Sequence, residues 1–215
     1  MSALNPYRPG LFVSLEGIDG AGKSTQLQTV VGVLQAAHRQ VLLTREPGGT
    51  EIGEKIRELL LHQSMRAATE ALLMFAARQE HVLCVIEPAL LGGTDVVCDR
   101  FTAATLAYQG GGKGIPVERL QALARWVHPG LCPDCIFLID VPPEVAAQRL
   151  AQTRRRDRFE RESVDFFARV RANYLQQAAG APEKWCVIDG TQAPSEVQKD
   201  ITNHLNKVLQ EFDAK

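Results

Sequence analysis

A glycine-rich stretch that ends in lysine and serine carries the clearest chemistry in the sequence. Residues 17–24 read GIDGAGKS and fit the pattern G-x-x-x-x-G-K-[ST], in which glycines let the backbone N–H groups turn inward around phosphate oxygens. The apolar run LFVSL at 11–15 comes before it, and a helical run begins near Lys23. Since a helix N-terminus attracts anions, this stretch predicts a site for a nucleotide polyphosphate.

Within that stretch, two side chains suit separate tasks. Lys23 is expected to reach the β- and γ-phosphates, and the Ser24 hydroxyl is expected to hold a magnesium ion. The expected phosphate-binding residues are Gly17, Ile18, Asp19, Gly20, Ala21, Gly22, Lys23, Ser24 and Thr25.

Charged residues also end the other apolar runs. Arg45 and Glu46 follow VLLT, Asp99 and Arg100 end TDVVCDR, and Asp140 ends CIFLID. Asp99 could orient magnesium through water, and Arg100 could grip an acceptor phosphate with two hydrogen bonds. The alternative for this pair is a structural ion pair at the edge of a sheet.

Arginine is concentrated in one part of the chain, where eight arginines fall between positions 149 and 171. The outer members Arg161, Arg169 and Arg171 fit a solvated helical face. The inner members are Arg154, Arg155, Arg156 and Arg158. These four lie between two predicted helices, and we expect a lid at about 150–162 that closes over phosphates.

Continuous apolar runs alternate with helical patterns along the whole chain. The expected strands cover residues 11–16, 41–46, 94–99, 135–140 and 185–189. The expected helices cover a run that begins near 23 and extends to 38, then 51–61, 69–91, 116–127, a stretch from 143, 163–179 and a stretch from 194, with a glycine-rich loop at 108–114. This alternation predicts an α/β fold, a doubly wound parallel sheet covered by helices on both faces. Ligands of such folds bind at the carboxyl ends of the strands.

The bulk composition argues for a small-molecule partner. At 215 residues, with 45% hydrophobic and 23% charged residues and a net charge of −1, we expect one domain with no nucleic-acid or membrane partner. The N-terminus lacks the layout of an export signal, which favours a cytoplasmic location. Five cysteines fit reduced thiols, and for Cys132 and Cys135 this interpretation is favoured over a redox pair or half of a zinc site.

Five segments together resemble thymidylate kinase, in particular its bacterial members. They are EGIDGAGKST (16–25), TREPGGT (44–50), FAARQEH (75–81), DRF (99–101) and LAYQGGGKG (106–114). The resemblance covers essentially the whole chain. It implies the P-loop nucleoside monophosphate kinase fold with a five-stranded parallel sheet, transfer of the γ-phosphoryl group of ATP to dTMP with Mg²⁺, and a homodimer.

The resemblance also assigns an acceptor site. Asp19 would accept a hydrogen bond from the sugar 3′-hydroxyl, Phe75 would change from presumed core to a platform for thymine, and Tyr108 would exclude a ribose 2′-hydroxyl. The implied dTMP-binding residues are Asp19, Arg45, Glu46, Pro47, Phe75, Arg78, Arg100, Thr105, Tyr108 and Gln109. The implied metal residues are Ser24, Asp99 and Glu46.

Family members differ in whether the catalytic arginine lies in the phosphate loop or in the lid. Ala21 occupies the loop position, so this chain resembles the lid type, with Arg158 and either Arg154 or Arg155 bridging the two phosphates alongside Lys23 and Arg100. Two further residues are implied on the ATP side. Arg149 would lie against adenine, and the loop with Gln192 would close over it.

The residues alone also allow two alternative functions. One is a kinase of the same fold for another nucleotide or a deoxynucleoside, which differs in its acceptor. The other is a GTP-hydrolysing switch protein. The sequence argues against it because it has no N-K-x-D motif for recognition of guanine.

Overall fold

A parallel sheet forms the centre of the molecule. The computed structural model describes residues 9–151 and 158–214. The strands are β1 (Phe12–Glu16), β2 (Val41–Arg45), β3 (Asp95–Asp99), β4 (Cys135–Asp140) and β5 (Trp185–Asp189). Their order is β2-β3-β1-β4-β5, and every neighbouring pair is parallel. The chain adds strands first on one side of β1 and then on the other, which leaves a crevice beyond the carboxyl end of β1.

The apolar character of the central strands follows from burial on both faces. All five residues of β1 are buried. Phe12 packs into one hydrophobic cluster with Val96, whereas Val13 and Leu15 pack into a second cluster. Alternate residues of a strand point to opposite faces, so both faces of β1 are covered, and even its polar residues Ser14 and Glu16 are buried. The predicted doubly wound fold is confirmed.

Helices cover both faces of the sheet. They are α1 (Lys23–Ala36), α2 (Glu51–His62), α3 (Ala67–His81), α4 (Glu87–Leu91), α5 (Thr102–Thr105), α6 (Val117–Val127), α7 (Pro143–Ala151), α8 (Val164–Gly180) and α9 (Pro194–Asp213). Side chains of α1, α8 and α9 fill one cluster, and Ile86 and Leu90 fill the cluster on the other face. Among the described residues, no helix has the length and apolarity that a bilayer crossing requires.

Two segments differ from their predictions. The helix expected at 69–91 begins at Ala67 and contains a π-helical segment, Val82–Ile86, between α3 and α4. The glycine-rich loop expected at 108–114 is instead largely a π-helical continuation of α5, Leu106–Gly112. A Cβ on Gly112 would lie 2.5 Å from the ring of Phe166. The glycines here allow close packing on α8. From the sequence alone, these glycines are interpreted as a turn.

Candidate active site

The predicted phosphate loop joins β1 to α1 in the expected way. Gly17 and Gly20 have φ values of 141° and 83°, which L-residues with a side chain rarely adopt. A Cβ would also lie 2.6 Å from a backbone oxygen at Gly17 and 2.5 Å at Gly20. Gly22 precedes α1 and no side chain caps the helix. The first N–H groups of α1 are therefore left for an anion.

Lys23 lies buried inside this loop. Its Nζ donates hydrogen bonds to the carbonyl oxygens of Gly17 (3.2 Å) and Ile18 (3.3 Å). Burial, and after it the charge of Arg100, lower the pKa of Lys23 to about 8, although nearby carboxylates including Asp99 oppose the shift. An anion placed beside Nζ would favour the protonated form.

Arg100 connects the phosphate loop to the neighbouring cleft. Its Nη1 donates to the carbonyl oxygen of Gly17 (2.7 Å), and its Nη2 donates to Asp19 Oδ1 (2.5 Å). The Tyr108 hydroxyl accepts from Arg100 Nη2 and donates to Asp19 Oδ2 at 2.9 Å. Burial alone would raise the pKa of Asp19, but Arg100 and Lys23 outweigh it and lower that pKa. Arg100 thus bonds to the phosphate loop at Gly17 and Asp19, and no ion pair between Asp99 and Arg100 is found among the described residues.

A second buried charge cluster lies across the cleft. Arg78 Nε donates to Glu46 Oε2 (2.6 Å), Arg78 Nη2 donates to Thr105 Oγ1 (3.0 Å), and His81 Nδ1 lies 3.1 Å from Glu46 Oε1. Arg78 Nη1 is buried and has no hydrogen-bond partner within residues 9–151 and 158–214. A buried N–H group without a partner is costly, so this atom is suited to a ligand acceptor.

Residues of the two clusters line one open cleft. It opens at the carboxyl ends of β1, β2 and β3, beside the phosphate loop. Its described lining consists of Asp19, Glu46, Pro47, Arg57, Leu61, Met74, Arg78, Arg100, Phe101, Ala104, Thr105, Tyr108, Gln109 and Phe159.

Comparison with known proteins agrees with this arrangement. The family model for thymidylate kinase matches residues 15–201. A thymidylate kinase of Methylobacillus flagellatus is 51% identical over 205 residues, covering 95% of this chain and 99% of the relative. One of Burkholderia cenocepacia is 54% identical over 200 residues, covering 91% and 97%. The crystal structure of thymidylate kinase from Ehrlichia chaffeensis is 33% identical, with a TM-score of 0.75, and covers 91% of this chain and 98% of its own.

The chain belongs to the thymidylate kinase family. It is therefore a phosphotransferase that uses ATP to phosphorylate dTMP.

Most of the expected thymidylate-binding residues meet in one cleft. They come from the phosphate loop, the turn after β2, α3, the end of β3 and the segment after α5. The members that line the cleft are Asp19, Glu46, Pro47, Arg78, Arg100, Thr105, Tyr108 and Gln109. Arg45 lies elsewhere, because its side chain is 53% exposed and its Nη2 donates to Glu54 Oε2 at 2.9 Å.

The structure corrects the expected role of Phe75. Its ring is 2% exposed and packs with Ala71, Leu120 and Val127, while the guanidinium of Arg78 lies 4.9 Å from the ring centroid. Among the described residues that line the cleft, Met74 is present and Phe75 is not. Neighbouring helical residues point about 100° apart, so the side chain at 74 reaches the cleft and the one at 75 reaches the core.

Glu46 does not fit the expected metal role. One carboxylate oxygen accepts from Arg78 and the other lies beside His81. Burial alone would raise the pKa of Glu46, but Arg78 and His81 together outweigh it and lower that pKa. Both oxygens of Glu46 are thus used within the protein.

The other expected metal residues stay available. Asp99 Oδ1 is buried and has no partner in the described part of the chain. Ser24 is exposed in the first turn of α1. Over the same residues no group of three His, Cys, Asp or Glu side chains could hold a metal ion. Magnesium in nucleotide sites takes few protein ligands and several phosphate or water oxygens, which suits this sparse set.

Arg158 has partners that sequence reasoning did not predict. Its Nε and Nη2 donate to the carbonyl oxygen of Leu60 at 3.0 and 2.8 Å, and Nη2 donates to Glu70 Oε2 at 2.5 Å. This guanidinium is held by the protein, which does not fit the expected bridge between two phosphates. Arg154 and Arg155, the other expected lid arginines, lie outside the described residues.

On the other side of the phosphate loop, Arg149 joins two loops. Its Nη1 donates to the carbonyl oxygen of Ala21 (3.1 Å) and its Nη2 to that of Gly190 (2.9 Å). Gln192 follows Gly190, and its amide donates to Asp200 at 3.3 Å. These two expected ATP residues do not line the cleft described above and lie on the other side of the phosphate loop.

Sequence reasoning missed several cleft residues. Met74, Arg57 and Phe159 line the cleft, and Arg57 Nη1 also donates to the carbonyl oxygen of Pro47 at 2.9 Å. The sequence gives a weak signal for Met74, since it lies four residues before Arg78 and so on the same face of α3. The sequence gives no signal for Arg57, whose position in an amphipathic helix is typical of a surface residue.

Proposed function

We propose that the acceptor dTMP occupies the cleft beside Arg100 and that ATP occupies the phosphate loop, so that their phosphates meet next to Arg100 and Lys23. The observation that carries this proposal is the position of Arg100, which bonds to the loop at Gly17 and to Asp19 and Tyr108 in the cleft. The Arg100 guanidinium can bind a phosphate through charge-assisted hydrogen bonds, which would replace its present bonds to the hydroxyls of Tyr108 and Tyr174. It is thus suited to fix the acceptor phosphate relative to the donor.

The base of dTMP finds complementary groups at the far end of the cleft. Arg78 Nη1, which has no partner in the described part of the chain, suits the O4 carbonyl of thymine. Gln109 Nε2 donates to Glu70 Oε1 at 2.8 Å. That bond turns the amide carbonyl the other way, where it suits the N3–H of thymine. Met74 offers a polarisable apolar surface to the ring.

The sugar would lie between Asp19 and Tyr108. The Tyr108 ring is 6% exposed, and its hydroxyl is fixed by Asp19 and Arg100. A rigid ring at this position leaves no room for a 2′-hydroxyl. Asp19 Oδ2 already accepts from Tyr108, and its second lone pair can accept from the 3′-hydroxyl. Preference for the deoxyribose follows from this steric argument.

Magnesium fits the loop at Ser24 and Asp99. The Ser24 hydroxyl would hold the ion, and Asp99 Oδ1, buried without a partner in the described residues, would accept from its water ligands. When bound, the ion would neutralise charge on the β- and γ-phosphates. Glu46 has no part in this site because Arg78 and His81 use its oxygens.

The chemistry asks little covalent work of the protein. A phosphate monoester oxygen of dTMP attacks the γ-phosphorus of ATP, the bond to the β–γ bridging oxygen breaks, and ADP leaves. No strong general base is needed because the nucleophile is already anionic. Lys23, Arg100 and a lid arginine, Arg154 or Arg155, would stabilise the charge on the transferring group, and lid closure would exclude water.

We further propose that the chain forms a homodimer through α3 and α6. Leu72 and Leu83, on and just after α3, are 57% and 55% exposed, and Trp126 on α6 is 78% exposed. Large apolar side chains this exposed on neighbouring helices mark interaction surfaces. Light scattering after size-exclusion chromatography should give twice the mass of one chain, and Trp126→Glu should give one chain. A wild-type monomer would refute the proposal.

Binding of dTMP to an Arg100 variant tests the acceptor site. Charge-assisted hydrogen bonds contribute about 1.5–3 kcal/mol, so Arg100→Gln should weaken dTMP binding in isothermal titration by roughly 10- to 150-fold. Lys199→Gln, which removes one exposed charge on α9, should bind dTMP like wild type. Equal affinities for wild type and Arg100→Gln would rule out this phosphate position.

A further inference from the structure

A buried carboxylate next to the thymidylate cleft has partners that the proposed chemistry does not use. Glu70 lies in the first turn of α3 and is 0% exposed. Oε1 accepts from Gln109 Nε2 at 2.8 Å, and Oε2 accepts from Lys113 Nζ at 2.8 Å and from Arg158 Nη2 at 2.5 Å. Three donors from two distant parts of the chain thus share one carboxylate.

The first partner connects Glu70 to the base. A carboxylate only accepts hydrogen bonds, so the NH₂ of Gln109 must face Glu70 and its carbonyl must face away. Gln109 is 1% exposed and lines the cleft. Without Glu70 the amide could turn over and present a donor to the base. Glu70 therefore selects an N3–H group, which thymine has and cytosine lacks.

The second partner connects Glu70 to the end of the lid. Arg158 follows the segment 152–157 and is fixed to Glu70 and to the carbonyl oxygen of Leu60. Its guanidinium lies 4.5 Å from the centroid of the Phe159 ring, and Lys113 Nζ lies 5.3 Å from that centroid. Phe159 lines the cleft and packs edge-on against Tyr108 at 6.1 Å. Holding Arg158 thus sets the position of one wall of the cleft.

We propose that Glu70, at the start of α3, is a positioning residue. It orients the base-reading amide of Gln109 and, through Arg158, fixes the wall of the cleft at Phe159. The inference rests on the proposed dTMP site. It gives Arg158 a task in shaping the acceptor site, in place of a bridge between phosphates. Lys113 completes the cluster, and its Nζ lies 3.6 Å from a carboxylate oxygen of Glu162. The two cations Lys113 and Arg158 therefore balance the two carboxylates Glu70 and Glu162.

Replacing Glu70 should change acceptor selection more than ATP use. For Glu70→Ala we expect kcat/KM for dTMP to fall at least about tenfold, since misplaced positioning groups cost up to about 100-fold, with KM for ATP within about twofold of wild type. The ratio of Kd values for dCMP and dTMP, measured by titration calorimetry, should fall by a similar factor. Glu80→Ala, the same change at an exposed position of α3, should leave both quantities unchanged.

If Glu70→Ala does not fold, Arg158→Gln tests the same proposal, because Lys113 still pairs with Glu70 in this variant. It should raise KM for dTMP several-fold with kcat near wild type. A fall in kcat at unchanged KM for dTMP would instead make Arg158 a phosphate-bridging residue and would overturn the inference. An unchanged ratio of the Kd values for dCMP and dTMP in folded Glu70→Ala would also overturn the inference. Titration of Arg100→Gln with dTMP in parallel separates these outcomes from failure of the proposed acceptor site, because in that case Arg100→Gln would bind dTMP like wild type.

Discussion

The side chains at positions 74 and 75 should respond to truncation in opposite ways. Phe75 is 2% exposed within a cluster of Ala71, Leu120 and Val127. Phe→Ala at such a site costs about 3–5 kcal/mol of unfolding free energy, through lost burial and the cavity left behind. For a chain of this size each kcal/mol lowers Tm by about 2–4 °C. Phe75→Ala should therefore lower Tm by roughly 6–20 °C.

Binding of dTMP should survive the same change. Arg78 rests on the Phe75 ring but is also held by Glu46 and Thr105, so the cleft keeps its shape at temperatures well below Tm. Met74→Ala removes apolar surface from the cleft itself. Loss of about half the burial of a methionine side chain is worth about 1 kcal/mol, which corresponds to a rise of about fivefold in KM for dTMP, with little change in Tm.

The assay compares both variants in one experiment. Differential scanning fluorimetry gives Tm, and a coupled assay for ADP at 20 °C gives KM for dTMP at saturating ATP. Each variant is the control for the other, since they change adjacent residues of α3 whose side chains point about 100° apart. If Phe75→Ala raised KM for dTMP and left Tm unchanged, the ring would belong to the base site and our placement of both side chains would be wrong.

Three further predictions concern ionisation and the sugar. Burial raises the pKa of Glu16 from 4.5 to about 7, so its protonated form stabilises the fold below pH 4.5 and that stability is lost as pH rises to 7. The unfolding free energy of wild type relative to Glu16→Gln should fall by about 3 kcal/mol over this range in urea titrations, and a constant difference would contradict the shift. Because Lys23 has a pKa of about 8, the affinity for an ATP analogue should decline above pH 8 in wild type and stay level in Lys23→Arg, and equal profiles would argue against Lys23. Tyr108→Ala should allow phosphorylation of the ribonucleotide of thymine; continued exclusion in the coupled assay would refute the steric account.

Local and periodic features of the sequence predicted the fold and the phosphate loop well. Strands β4 and β5 have the predicted bounds of 135–140 and 185–189, because continuous apolar runs between turn residues leave few alternatives. The phosphate loop needs glycines at defined positions, so Gly17 and Gly22, followed by Lys23 and Ser24, identify it without tertiary information. The ends of parallel strands meet at one edge, which also brought Arg100 to the site.

What the sequence could not predict depends on rotation about helix axes and on distant partners. Positions 74 and 75 are both apolar, so the pattern does not tell which of them faces the core. Glu46 looked like a metal residue until its partners Arg78 and His81, more than 30 residues away, were known. Arg158 lies 88 residues from Glu70, and no local pattern connects the two.

The most direct test of the central claim is the choice of phosphoryl acceptor by the purified wild-type protein. With ATP and Mg²⁺, chromatography should show dTDP and ADP formed in equal amounts from dTMP, with kcat/KM well above that for thymidine, dCMP or GMP. No dTDP from dTMP, or faster turnover of thymidine or GMP, would contradict an acceptor cleft built around Arg100, Arg78 and Gln109.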